Sequence, residues 1–340
     1  MDISKRKRLI LSQIVALYTG SGDPVGSKIL SDFLDGVSVS TATLRNEMAE
    51  LTRLGLLEQP HTSAGRVPTT MGYRYYVDNL MDVRALAKEE REEIASAVAA
   101  MDSDPDRAAD EAARYLANLT GLAAITTTPR GGNVQISHFQ VFKTGKYNVA
   151  ILGVTSAGGV KTRVCRLTEE LSDAQLKELA SELNRQLCFV SAEDMDSAKA
   201  EAVRAALGWS KGLFAPIASA VSAIIKSAAD VRVYTEGLEK LFAYPELEAH
   251  LKDLLELFAD ADAIRGYLEP SEPLKVFVGD ETGWDGLFAN LGVIVGRYRA
   301  QGGRHGALAV AGPVRMNYGW IIPRVTYFRD AISAMLTNPT

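Results

Sequence analysis

Thr41, Thr43, Arg45 and Asn46 fall within six positions at the start of one helix, and their side chains are of the types that read base edges in DNA. Arginine can grip O6 and N7 of guanine with two hydrogen bonds, asparagine can do the same for adenine, and threonine can touch the thymine methyl. The helix runs from Ser40 or Thr41 to Leu54, with Leu44, Met48, Leu51 and Leu54 as its buried stripe. That stripe leaves Thr41, Thr43, Arg45, Asn46 and Glu47 outside, and Gly55 stands where a left-handed residue ends a helix. Two further groups of cations suit phosphate or the minor groove: Arg66, and the run Lys5-Arg6-Lys7-Arg8.

These side chains need a frame, and the surrounding pattern supplies one. A helix over Ile3 to Tyr18 carries Ile10, Ile14, Leu17 and Tyr18 on one face and is broken by Gly20–Pro24. Ser27 caps a short second helix expected to turn Ile29, Leu30, Phe33 and Leu34 inward, and Asp35-Gly36 ends it before Val37-Ser38-Val39. After the third helix, Leu56-Leu57-Glu58 reads as a short strand, Pro60–Gly65 as a hairpin loop with His61 and Ser63 in it, and Arg66-Val67 as the return before Pro68. A fourth helix points Tyr73, Tyr76, Val77 and Leu80 inward. This order is that of a winged helix-turn-helix, in which the second helix of the motif enters the major groove. The candidate DNA contacts are Lys5, Lys7, Arg8, Ser40, Thr41, Thr43, Arg45, Asn46, His61, Ser63 and Arg66. The competing reading makes them ordinary solvated residues of a small helical domain.

A chain of 340 residues implies two or three domains, because single cores stop growing near ~250–300 residues. With 47% hydrophobic and 23% charged residues it can bury an ordinary core, which excludes disorder, collagen-like repeats and a disulfide scaffold. The net charge is −5, but residues 1–81 hold nine Lys/Arg against eight Asp/Glu, so the basic-to-neutral end is the specialised one. Cys165 and Cys188 form no CxxC and read as reduced, packed thiols. No uncharged stretch, Gly212–Ile225 among them, reaches the roughly 20 residues of a membrane span. A soluble, cytoplasmic protein is expected.

The remaining two thirds reads as α+β. Helices are expected at Lys88–Met101 and Asp106–Leu119, the charged run Lys88–Glu93 being a solvated face. Val134–Phe142, Tyr147–Thr155 and Val160–Leu167 form an antiparallel meander. Its middle strand, through Val149–Leu152, is apolar on both faces; in the third, Val160, Thr162 and Val164 alternate with Lys161 and Arg163, so one face is wet. Leu176, Leu179, Leu183 and Leu187 line a helix over Ser172–Cys188. Pro245–Tyr267 reads as one long amphipathic helix, followed by strands at Leu274–Val278, Gly292–Arg299 and Ala307–Val310 and a last helix capped by Asn317. Strands on both sides of a helical middle imply one domain interrupted by an insertion. In Lys211–Lys226, the stripe Leu213, Phe214, Ile217, Val221, Ile224 and Ile225 fits either a core helix or a contact between chains. A reader of palindromic half-sites needs a two-fold partner, which favours dimerisation through this stripe.

Catalytic patterns are missing from the sequence. The four histidines, His61, His138, His250 and His305, have no metal-ligand spacing, and there is no phosphate-binding G-x-x-x-x-G-K-[ST], no G-x-S-x-G and no H-E-x-x-H. Gly302-Gly303-Arg304-His305-Gly306 could cradle an anion but reads first as a flexible hairpin loop; Asp280 and Glu281 could hold a cation but read first as a solvated strand end. No enzyme, metal or cofactor is expected.

A resemblance extends these readings. Pro24-Val25-Gly26-Ser27, Ser40–Leu51, Leu54–Glu58, His61–Thr69 and Gly72–Asp78 closely resemble the heat-inducible transcription repressor family HrcA. Thr235–Leu241, Val278–Glu281 and Gly312–Tyr318 resemble it more loosely, and the glycine-rich stretch 297–307 departs from it. The resemblance implies a winged helix-turn-helix over 1–82, then a GAF-like antiparallel-sheet domain over 83–189 and 235–340 with an inserted dimerising segment at 190–234. It also implies a dimer bound to an inverted-repeat operator of chaperone operons, released on heat stress and kept active by the GroEL chaperonin. Two alternatives stand beside it: a regulator of the same build switched by a small ligand in the GAF-like body, and an enzyme with a DNA-binding head.

Overall fold

Short-range signals build the first eighty residues. In the computed structural model, which describes residues 3–34, 40–62, 64–82, 84–130, 134–260, 263–264, 268, 272–282 and 290–337, three helices come first: α1 (Lys5–Ser21), α2 (Ser27–Asp32) and α3 (Thr41–Arg53). The hydroxyls of Ser4 and Ser40 accept from the first-turn amides of α1 and α3, supplying partners that a helix start lacks. Gly55 sits at φ +76°, as its place after α3 requires. A two-residue antiparallel ribbon follows, β1 (Leu57–Glu58) against β2 (Val67–Pro68), and then α4 (Thr70–Asn79). Ile10, Leu11, Ile14, Leu30, Leu44, Leu51 and Leu56 close the core between them. Leu54 is only half buried.

Two inward assignments in this head change. In α2, Leu30 and Leu34 are buried, but Ile29 is 50% and Phe33 56% exposed. A helix of six residues offers one narrow face to its neighbours, too narrow for four large side chains. In α4, Tyr73 and Tyr75 are the buried pair, with Tyr76, Val77 and Leu80 half buried, because α4 packs on the rest of the chain as well as on the head. Residues 35–39, read as the end of α2 and a linker, lie outside the described residues.

The body is a five-stranded antiparallel sheet in the order β7-β3-β10-β9-β8. Its strands are β3 (Ala123–Thr127), β7 (Val233–Glu236), β8 (Leu274–Val278), β9 (Leu291–Arg299) and β10 (His305–Pro313). One face packs on α6 (Pro105–Thr120) and α11 (Tyr318–Thr337), with α5 (Lys88–Ala99) beyond them. The other is covered by Leu241, Leu247, Leu254 and Phe258. The glycine-rich stretch is a tight β9–β10 hairpin with Arg299 opposite His305, and Gly302 and Gly303 take φ +70° and +72°, where a side chain would be strained. The long helix expected at Pro245–Tyr267 is instead a 3-10 turn, Pro245–His250, followed by α10 (Leu251–Ala259); Tyr267 lies outside the described residues. The two pieces part at His250, whose backbone (φ −116°, ψ 1°) leaves the helical range.

Between β3 and β7 the chain leaves the sheet and returns to it at one point, since Thr127 pairs with Val233. Everything between is one layer of its own: the meander β4 (Ile136–Gly145), β5 (Asn148–Thr155) and β6 (Val160–Arg166), with α7 (Asp173–Leu187), α8 (Ser197–Leu207) and α9 (Lys211–Lys226). Its core is separate, built on Phe139, Ile151, Leu179, Leu183, Ile217 and Ile224. The insertion therefore occupies 128–232, not 190–234; a boundary at 190 would cut α7 from α8 and split one core in two. The meander's wet face is also the opposite of the one expected. Val160 is 43% and Val164 63% exposed, whereas Lys161 is 7% exposed. Cys165 packs inward with Val149 and Ile151, and alternation along β6 then places Lys161 on the inner side and the two valines outside.

Candidate nucleic-acid interface

Three of the five residues expected on the outer ridge of α3 stand exposed there, with Thr43 and Glu47 half buried. Thr41, Arg45 and Asn46 are exposed beside Ala42 and Ala49, while Leu44, Met48 and Leu51 lock the inner face. Ser40 is exposed but its hydroxyl is engaged: it accepts from Thr43 N at 3.1 Å and meets Thr43 Oγ1 at 3.0 Å, so both hydroxyls serve the cap. Arg45 Nε donates to Ser27 Oγ, the first residue of α2, at 3.2 Å. Among the described residues that bond leaves both terminal nitrogens of the guanidinium available, and it steadies the side chain at the N-terminus of α3, where an anion is favoured.

The ribbon is ordered from within. Gln59 Nε2 donates to Thr62 O at 2.9 Å and to Ala64 O at 3.0 Å, holding the loop that carries His61, which is exposed. Arg66 is half buried; its backbone pairs with Val25 and its Nε donates to Thr52 Oγ1 at 3.1 Å, which ties ribbon, α2 approach and α3 together. Ser63 lies outside the described residues.

The basic run divides. Lys5 is exposed, and Arg8 is exposed with its Nε donating to Ile3 O at 3.1 Å. Lys7 turns back onto α3, with Nζ 2.6 Å from Glu50 and 3.1 Å from Glu47. The two carboxylates hold the Lys7 ammonium above its ordinary value, and Lys7 holds the Glu50 carboxyl below its own. Lys7 was expected at phosphate, but its charge is met inside the chain, and Glu47, expected outside, is half buried against it. Two acids placed one turn apart on α3 are the signal for this; nothing in the linear order says which cation they face.

Head and body are joined by two arginines. Arg74 of α4 reaches Glu281 with both Nε and Nη2 and donates to Val276 O at 2.6 Å. Arg315 pairs with Glu246 and reaches Thr19 O, at the end of α1, at 3.4 Å. Tyr73 and Tyr318 lie between them with ring centroids 6.3 Å apart. Glu281 is thus an ion-pair partner, not one end of a cation site. Asn317 caps α11 as expected, accepting from Trp320 N at 3.1 Å.

The six residues expected at a dimer contact, Leu213, Phe214, Ile217, Val221, Ile224 and Ile225, are all buried inside their own chain, none more than 6% exposed. They pack on β5 and β6, so these side chains are not free to cover a second chain. What the layer leaves open is the outer face of the meander, where Phe142 and Val164 are exposed on either side of the buried Ala150 across three strands. Among the described residues no group of His, Cys, Asp and Glu is placed to hold a metal, and no helix is long and apolar enough to cross a membrane.

Comparison with known proteins bears on this arrangement. Residues 106–322 match the family described as the HrcA protein C-terminal domain. The chain is 33% identical to the heat-inducible transcription repressor HrcA of Desulforudis audaxviator (strain MP104C) over 99% of its length and 98% of that protein's. The chain belongs to the HrcA family. The HrcA of Geobacter sulfurreducens is 32% identical over 98% of both chains. The matched family segment runs from α6 to the first turn of α11, covering the body sheet and the insertion, whereas the HrcA relatives extend through the head as well. A crystal structure titled only as a hypothetical protein superposes with a TM-score of 0.70 at 24% identity, over 98% of each chain, which supports the mixed helix and antiparallel-sheet fold.

Proposed function

We propose that this HrcA-family chain is a transcriptional repressor of heat-shock genes, reading DNA as a dimer through a winged helix-turn-helix at residues 1–82. The observation that carries the reading is the α3 ridge: Thr41, Arg45 and Asn46 exposed on a helix whose other face is fixed, with Arg45 already steadied by Ser27. Thr41, Arg45 and Asn46 would meet base edges, Lys5, Arg8, His61 and Arg66 the backbone or minor groove, and Ser40 and Thr43 would hold the helix start. The body is read as GAF-like, with 128–232 as the inserted segment. The second copy would sit on the open meander face, where Phe142, Val160 and Val164 expose apolar surface, rather than on α9.

An inverted repeat offers each head one half-site, so affinity depends on two heads held at the right spacing. The seam through Arg74 and Arg315 sets that spacing from the body side. Warming that loosens the seam or the dimer would cost the bivalent grip, and the protein would leave its operator. Modulation by the GroEL chaperonin and a cytoplasmic location complete the reading, both resting on the family alone.

The test is fluorescence anisotropy of the full chain on a chaperone-operon inverted repeat and on a scrambled duplex, across a salt series and two temperatures. The expected result is selective binding, two chains per duplex, that fades on warming. Equal affinity for both duplexes would overturn the reading.

A further inference from the structure

Arg304 follows the two left-handed glycines of the β9–β10 turn, and its side chain goes inward, leaving 7% of the residue exposed. Two carbonyls receive it: Nε donates to Gln301 O at 2.9 Å and Nη2 to Ala157 O at 3.2 Å. Nη1 has no acceptor and no carboxylate pairs with the guanidinium among the described residues. A guanidinium does not escape burial by losing its proton, so a buried arginine normally finds an anion. Desolvation pushes this one down from its ordinary value, but its charge stays.

The side chain lines a cavity of about 50 Å³ where insertion meets body. Lys161 of β6 lines it too, also 7% exposed, with its Nζ 3.2 Å from Asp106 Oδ2. That same oxygen is 3.1 Å from Arg232 Nη1, so one carboxylate answers two cations. Arg130 and Asp230 line the cavity too. Asp104 is spent on the cap of α6, accepting from Asp106 N and Arg107 N. Lys161, Arg232 and Arg304 thus bring three cations to the two carboxylates of Asp106 and Asp230 among the described residues here.

We propose that this cavity binds a tetrahedral oxyanion, a phosphate either free or as a monoester, with Arg304 and Lys161 as its charged donors. A void needs roughly 10–15 Å³ to take one water, so this one has room for a small oxyanion but not for a nucleoside. The donors come from two separate elements, β6 and the turn that precedes β10, and a tetrahedral ion offers oxygens in more directions than a planar carboxylate does. The bound ion would tie the insertion to the body sheet at the seam between them, which makes it a stabiliser of their relative placement. The inference is independent of operator binding.

The experiment uses the full chain with orthophosphate and, separately, methyl phosphate, at ionic strength held constant with chloride. Binding is read by equilibrium dialysis and by the melting temperature. Saturable binding of either ion, with a melting temperature that rises and levels off, is expected, and Arg304→Gln should abolish both responses. Saturation by methyl phosphate at far lower concentration than by orthophosphate would assign the site to an ester; the reverse would assign it to the free ion. Should Arg304→Gln fail to fold, Lys161→Met is the second variant, with binding expected to weaken at least tenfold. No saturable binding to the wild-type chain, or unchanged binding in a folded Arg304→Gln protein, would overturn the proposal.

Discussion

The head and the body treat their cations in opposite ways. In the head, Lys5, Arg6 and Arg8 of the conspicuous run lie exposed, and Lys7 meets two carboxylates, Glu50 and the Glu47 that Arg6 also reaches. In the body, Lys161 and Arg304 belong to no run of cations, yet both are more than nine-tenths buried, one sharing a single carboxylate and the other with none among the described residues. Exposed ion pairs are screened by water and are worth little to the fold, whereas a buried charge that loses its partner retains its desolvation cost. The density of charge along the chain is therefore a poor guide to where charge matters for stability. It is a better guide to where another molecule's charge is met, because only exposed cations reach a DNA backbone.

The largest effect expected from this contrast lies at Asp106. Asp106→Asn takes the shared anion from Lys161 and Arg232 and leaves Lys161 buried without a counter-charge. Breaking one side of a buried pair costs about 3–5 kcal/mol, so a marked fall in the denaturation midpoint is expected, with the double variant Asp106→Asn, Lys161→Met recovering much of it. A single variant as stable as the wild-type chain would show that water already screens this seam, and the contrast between the two regions would collapse.

The head was largely legible in the sequence and the layering of the body was not, for a physical reason. Ser40, Gly55 and the Leu44–Met48–Leu51 stripe act within one or two helical turns, so their consequences are local. Strand β3, with Ala123–Thr127 buried throughout, shows no alternation to mark it, and its partner β7 is over a hundred residues away; without that pair the limits of the insertion stay hidden. The apolar stripe of α9 was visible, but a stripe is the same whether it meets its own sheet or another chain. The inward turn of Arg304 depends on two glycines and a carbonyl at Ala157, a contact 147 positions distant. Within the α3 site, the exposed residues were foreseen and their partners were not: Ser27 for Arg45, and Glu47 and Glu50 for Lys7.

On the DNA side the order of effects reverses, and the exposed residues carry it. Arg45→Ala should cost about 1–3 kcal/mol at one base position and relax selectivity there, with the fold unchanged, since among the described residues its side chain bonds only to Ser27. Measured against a panel of single-base operator variants, an unaltered preference at every position would place the reading helix elsewhere than α3.

Lys7 gives the smallest effect and the finest distinction. Lys5→Ala should lower the salt dependence of operator binding by about one released counterion, as a phosphate contact does. Lys7→Ala should leave that slope nearly unchanged, because Lys7 is already neutralised by Glu47 and Glu50. Its trace should appear instead in the pH dependence of head stability. Glu50 is held below its ordinary carboxylate value by Lys7, so the pair's contribution is complete above that value and fades as the pH falls through the depressed one. Lys7 is raised, so on the alkaline side the contribution fades as the pH rises through its elevated value. Denaturation midpoints of wild-type and Lys7→Ala chains should then differ across neutral pH and converge at both extremes. A Lys7→Ala slope as shallow as that of Lys5→Ala would mean that the lysine abandons its carboxylates for phosphate when DNA binds, and the head would then spend its paired cations after all.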